Sequence, residues 1–177
     1  MKKLTIILGL MLLSIYSCKD LDKLTQFNMD IKSTITIPAT LGINIPIDLW
    51  TPDIPTNSES EFESKNTAKN LIEEIIMTKM SMTITSPADA SFDFLKEIEI
   101  YISADGIAEK RVAWLADIPQ TGLKTIELET SSEDLKEYIK ADKYKLNTKT
   151  VTRQLISQDT DVEIKNTFFV DAKILGI

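Results

Sequence analysis

From Phe27 to Ile37 the chain alternates without a break. Odd positions carry Phe27, Met29, Ile31, Ser33, Ile35 and Ile37; even positions carry Asn28, Asp30, Lys32, Thr34 and Thr36. A period of two over this length describes a strand with one face buried and one in water, and fits no helix. The pattern returns at the far end, where Val162, Ile164, Phe168, Val170, Ala172 and Ile174 share a face. Asp161, Glu163, Lys165, Thr167, Asp171 and Lys173 take the other, with Phe169 as the exception. Between them Ile43, Ile45, Ile47 and Leu49 alternate, with Pro46 on the opposite parity. A proline there predicts an edge strand or a bulge, because it cannot donate to a ladder. Ile76, Met80, Met82 and Ile84, then Ile98, Ile100 and Ile102, extend the series, and shorter runs lie at Arg111 to Ala116, Leu123 to Glu129 and Tyr144 to Thr152.

About seven to nine half-buried strands joined by short turns predict an all-β chain, an antiparallel β-sandwich of immunoglobulin-like or related type. A closed β-barrel satisfies the same alternation and stays open as the alternative. Helix is confined to SSEDLKEYIKAD, where Ser131 or Ser132 can cap and Leu135, Tyr138 and Ile139 fall on one face. Asn66 to Glu74 is ambiguous between a short helical turn and the start of a strand. Thr51 to Lys65, polar and holding Pro52 and Pro55, reads as a long loop or solvated hairpin.

The N-terminus follows another logic. Lys2 and Lys3 precede an apolar run from Leu4 to Tyr16, and the chain's only cysteine, Cys18, comes directly after it. The run is short of the ~20 residues a spanning helix needs, but has the length and flanking charge of a secretory h-region. With Ile15 and Ser17 ahead of Cys18, the stretch resembles a bacterial lipoprotein signal, the lipobox; Tyr16 is bulkier than that motif's usual residue. The resemblance implies cleavage before Cys18, a diacylglycerol on its sulfur and an acylated amine. Each buried methylene adds about 0.8 kcal/mol of membrane affinity, so two or three chains anchor firmly. It implies three segments: a signal peptide at 1–17, a lipidated tether at 18–25 and one β-sandwich domain at 26–177. Lys19 after the cysteine, and the Lys-Asp-Leu-Asp run it opens, are similar to outer-membrane and surface signals. The expected place is therefore the outer membrane, on its periplasmic face or at the cell surface. SFDFLKEIEIYISADG, EDLKEYIKADKYKL and FFVDAKI also resemble small uncharacterised envelope lipoproteins of Bacteroidota, a likeness that imports no activity.

Charge and composition narrow the chemistry. Losing Lys2 and Lys3 takes the basic count from 20 to 18 against 27 acidic residues, a net charge of −9. Nucleic acid is not an expected partner, since phosphate binding needs a basic face. The chain has no histidine, which removes the commonest general base, every histidine-activated nucleophile and the usual zinc ligand. Gly42, Gly106, Gly122 and Gly176 cannot assemble a phosphate-cradling loop. Acid pairs such as Glu97 and Glu99, or Asp161 and Glu163, alternate with apolar residues and so read as solvent-facing. Gln158-Asp159-Thr160-Asp161 lacks the glycine and the final glutamate of a calcium loop. The expectation is a protein without catalysis, cofactor or metal site.

Three aromatics stand out for binding. Trp50 and Tyr101 lie on opposite parity to the apolar residues of their strands, and Trp114 sits in the short strand RVAWLAD. Such rings can stack on sugars or anchor a protein partner; alternatively they are core, covered by the helix or by Thr51 to Lys65. A different reading takes Met29, Met77, Met80 and Met82 as the lining of an apolar cavity. The sequence therefore supports an anchored, non-catalytic binding or structural module of the envelope, engaging an envelope protein or glycan, with a carrier of lipid or another apolar ligand as the alternative.

Overall fold

The computed structural model describes residues 25–39, 42–44 and 46–173. Ile15, Ser17 and Cys18, the tether up to residue 24, and Ile45 and Ile174 lie outside the described residues. Among the described residues there are nine strands: β1 (Phe27–Ile37), β2 (Pro46–Trp50), β3 (Ile54–Pro55), β4 (Ile72–Ser86), β5 (Leu95–Ala104), β6 (Ile107–Leu115), β7 (Thr125–Thr130), β8 (Lys143–Thr152) and β9 (Thr160–Ala172). Every ladder is antiparallel, in the order β1-β9-β4-β7-β6-β5-β8-β2, with β3 also on β8. Among the described residues two α-helices interrupt them, α1 (Ser58–Ser64) and α2 (Lys136–Ile139).

This is the expected antiparallel sandwich, and β7 is where it folds over. Thr125 to Leu128 pair with β4, while Glu129 and Thr130 pair with β6. One strand thus passes from the first layer, β1-β9-β4, to the second, β6-β5-β8-β2. The layers meet through the core: Asn166 on β9 donates from Nδ2 to the Tyr144 hydroxyl on β8 at 3.1 Å, both fully buried. β1 and β2 end the sheet, and no ladder joins them among the described residues. The closed barrel is not what forms, and Pro46 does lie on an edge strand.

Alternation becomes burial almost residue for residue in β1 and β9. Met29, Ile31, Ile35 and Ile37 are buried, as are Val162, Ile164, Phe168, Val170 and Ala172. In β4 the parity breaks. A register shift between Met77 and Lys79 inserts Thr78 as an extra residue, and such a bulge moves every later side chain to the other face. Ile75 and Met77 are therefore core before it, and Met80, Met82 and Ile84 after it. Ile76, expected on the buried face, stands half-buried outside, opposite Phe169. The four methionines proposed for a cavity are packed core residues, each no more than 3% exposed.

Two helical expectations need correction. Thr51 to Lys65 is neither loop nor hairpin throughout: it holds β3 and the two-turn helix α1. Phe62, fully buried, is the only large apolar residue of α1 and meets Phe27 edge to face at 6.3 Å. Thr56 secures the approach, donating its hydroxyl to the Ala141 carbonyl at 2.6 Å and accepting from the Ser58 amide. With one apolar residue, SESEFES offers no 3.6-residue periodicity to read. The second expected helix shrinks to the single turn α2, whose N-cap is Leu135 and whose first amide is held by Asp134, not by Ser131 or Ser132. Asp134 Oδ1 accepts from the amides of Lys136 (3.0 Å) and Ile75 (3.1 Å), while Leu135, Tyr138 and Ile139 are buried as anticipated. The ambiguous stretch before Glu74 resolves into a 3-10 turn, Lys69–Leu71, leading into β4. Among the described residues no helix is long and apolar enough to cross a membrane.

Candidate functional site

The outer face of the second layer brings the three aromatics together. Strand pairing sets them in two rows across the sheet. One row runs Trp50 (β2), Asn147 (β8), Tyr101 (β5), Arg111 (β6). The next runs Asp48, Lys149, Glu99, Trp114 and, on β7, Glu129. Among the described residues nothing covers this face as the alternative reading required: Trp50 is 49% exposed, and Tyr101 and Trp114 are half-buried. The parity that pointed Trp50 and Tyr101 outward was the correct signal. The bulge between Ile100 and Tyr101 shifts the register of β6 so that Trp114 faces the same way.

Each ring is held differently. Trp114 donates its indole N–H to Glu129 Oε2 at 2.9 Å and carries the Arg111 guanidinium 4.6 Å above its ring. Arg111 also binds Glu99 Oε1 at 2.6 Å, and Glu99 Oε2 accepts from the Tyr101 hydroxyl at 2.9 Å. The Lys149 ammonium lies 4.0 Å from the centre of the Tyr101 ring and bonds Glu109 Oε1 at 2.9 Å. Cation–π contacts of this kind stabilise by about 0.5–1 kcal/mol at exposed sites. Tyr101 is therefore capped by an ammonium, and Trp50 is the ring left open.

The charges are tuned toward the ionised state. The hydrogen bond from Arg111, and secondarily that from Tyr101, hold Glu99 below the ordinary carboxylate range. The bond from Lys149 does the same for Glu109. Tyr101 is pushed up, first by its bond to Glu99 and then by burial. A carboxylate acting as a general acid at neutral pH needs the opposite shift. Among the described residues no cluster of three or more His, Cys, Asp or Glu is placed to hold a metal ion.

Two depressions flank the rows. One, of about 450 Å³, is bordered by Trp114, Arg111, Glu97, Lys149 and Pro46. The other, of about 370 Å³, lies beside Trp50 and is bordered by Asp53, Asp105, Lys143 and Lys145. Between them Asn147 is 3% exposed; its Nδ2 donates to Glu109 at 3.3 Å, and its Oδ1 has no partner. Sequence reasoning missed Arg111, Lys149, Glu109, Asn147 and Glu129 as members of this face. Parity alone marks 147 and 149 as outward, but β8 lies far along the chain from β2 and β5. Nothing local shows that the three strands are neighbours.

No family model matches the chain, and no curated protein does. Solved structures match it only weakly. A desmodium yellow mottle tymovirus structure is 13% identical with a TM-score of 0.32, covering 86% of this chain and 85% of its own. The BFDV capsid protein in its 60-mer form is 9% identical with a TM-score of 0.37, covering 86% and 95%. A carbohydrate-binding module of the β-sandwich superfamily is 11% identical with a TM-score of 0.29, covering 87% and 58%.

Proposed function

We propose that this chain is a lipid-anchored, non-catalytic binding module of the bacterial outer envelope, and that it engages its ligand through the outer face of β2, β8, β5 and β6. One observation carries the reading. Trp50 from β2 and, far along the chain, Tyr101 and Trp114 from the β5–β6 hairpin converge on one sheet face that no other described segment covers, with Trp50 49% exposed at its edge. An exposed ring such as that of Trp50 is where stacking and partner contacts concentrate. The lowered carboxylates support binding over acid catalysis. The tight packing of Met29, Met77, Met80 and Met82 weighs against the apolar carrier. Anchoring rests on Ile15, Ser17 and Cys18 in the sequence.

Two measurements test the two halves of the proposal. Intact mass spectrometry of the protein extracted in mild detergent from its own membrane should show cleavage before Cys18 and the added mass of its acyl chains. An unacylated chain cut elsewhere refutes the anchor. For the face, the extracted protein, its acyl chains held in detergent micelles, should co-sediment with delipidated envelope fragments, and Trp50→Ala should weaken that association. Equal sedimentation of the variant refutes the face.

A further inference from the structure

We infer that the ligand of this face is a neutral oligosaccharide lying across the strands from the Trp114 depression to Trp50. This rests on the binding-face reading above and adds the chemical class of what binds.

The first argument is charge. Every cation on the face is already engaged by a carboxylate: Arg111 by Glu99 at 2.6 Å, Lys149 by Glu109 at 2.9 Å, and Lys143 and Lys145 by Asp53 at 2.5 and 3.4 Å. Asp48 and Glu97, by contrast, have no ion-pair partner among the described residues. A uronate or sulfate would meet surplus negative charge and no free cation. A hydroxyl donates to carboxylates and also accepts from the spare N–H groups of Arg111 and Lys149.

The second argument is layout. Protein interfaces deplete charged residues at their centre, yet here Arg111, Glu99, Lys149 and Glu109 fill the space between the two indoles. That space suits a hydroxylated ligand better than an apolar protein anchor. Trp50 and Trp114 are three strands and one side-chain step apart, about 16 Å at ordinary strand spacing. The open ring of Trp50 stands at one end of a polar strip and the depression beside Trp114, whose own ring lies under Arg111, at the other, a span that calls for a chain of sugars and not a single one. Tyr101, beneath the Lys149 ammonium, positions Glu99 and does not offer its face.

The test is native affinity electrophoresis of the detergent-extracted, acylated protein through gels containing a neutral β-glucan, mannan or xylan, with polygalacturonate as the anionic counterpart. Both tryptophans of the chain lie on this face, so quenching or enhancement of intrinsic fluorescence reads the same event. The inference expects retardation by at least one neutral polysaccharide, unchanged when salt is raised to about 0.5 M because no net charge is neutralised. Trp50→Ala should weaken it about tenfold, as loss of a stacking ring does, while Trp50→Phe, which keeps a ring, should retain most of it. Leu155→Ala, at an exposed position in the loop after β8, should change nothing. Retardation by polygalacturonate alone, fading with salt, overturns the neutral class but leaves the face. No retardation by any polysaccharide, with Trp50-dependent envelope sedimentation intact, overturns the glycan in favour of a protein partner. Retardation indifferent to Trp50→Ala overturns the site.

Discussion

The buried bond between Tyr144 and Asn166 is a direct probe of how the two layers face one another. Asn166 interrupts the apolar series of β9, fully buried, where its neighbours are Ile164 and Phe168. Its Nδ2 donates to the Tyr144 hydroxyl at 3.1 Å, while its Oδ1 has no partner. Burial pushes the Tyr144 phenol up, so it stays neutral at any ordinary pH. Tyr144→Phe removes the one hydrogen bond the amide makes and leaves it buried and unpaired, which costs about 1–3 kcal/mol. Replacing both partners with apolar groups is different: Tyr144→Phe with Asn166→Val leaves no polar atom stranded, and valine suits a strand. The double variant should therefore be more stable than Tyr144→Phe alone, with a coupling of about 1 kcal/mol or more. Urea unfolding followed by far-UV circular dichroism reads this out. With a slope of about 2 kcal/mol per molar, a 2 kcal/mol loss moves the midpoint down by about 1 M. Strictly additive single and double variants would show that the side chains do not meet, and the packing of β8 over β9 would be wrong.

Other outcomes follow from the same structure. Phe62→Ala should cost about 3–5 kcal/mol, the range for deleting a buried aromatic, and a melt unchanged from the native protein would remove α1 from the core. Gly106, between β5 and β6, sits at φ +75 with nothing within 4 Å of where a Cβ would stand. Gly106→Ala should thus cost only the backbone term, about 1–2 kcal/mol, and Gly106→Asn less; a larger loss would mean a clash. Glu99 titrates below its unfolded value of about 4.5, so its contribution is full above that pH and disappears as pH falls through the lower native value. Carboxyl chemical shifts should place its midpoint below 4.5 and move it upward in Arg111→Ala; an unmoved midpoint would separate Arg111 from Glu99.

How much of this was written in the chain depends on the range of the interaction concerned. Alternation is local, since successive side chains of a strand must point to opposite faces. The buried residues of β1, β5 and β9, the outward direction of Trp50 and Tyr101, and the edge position of the strand holding Pro46 could therefore be read directly. So could the lack of histidine, and the likeness of Ile15, Ser17 and Cys18 to a lipid-attachment signal. Three things needed the fold. The bulge at Thr78 reverses which residues of β4 are core, and it arises from pairing with β9 and not from any breaker in the sequence. Helix α1 forms because Phe62 finds a pocket beside Phe27, a contact between segments with no shared local pattern. The candidate face exists only because β8 inserts between β2 and β5, setting Asn147 and Lys149 beside Trp50 and Tyr101. Strand order is fixed by which layers bury the most apolar surface together, and that is a property of the whole core.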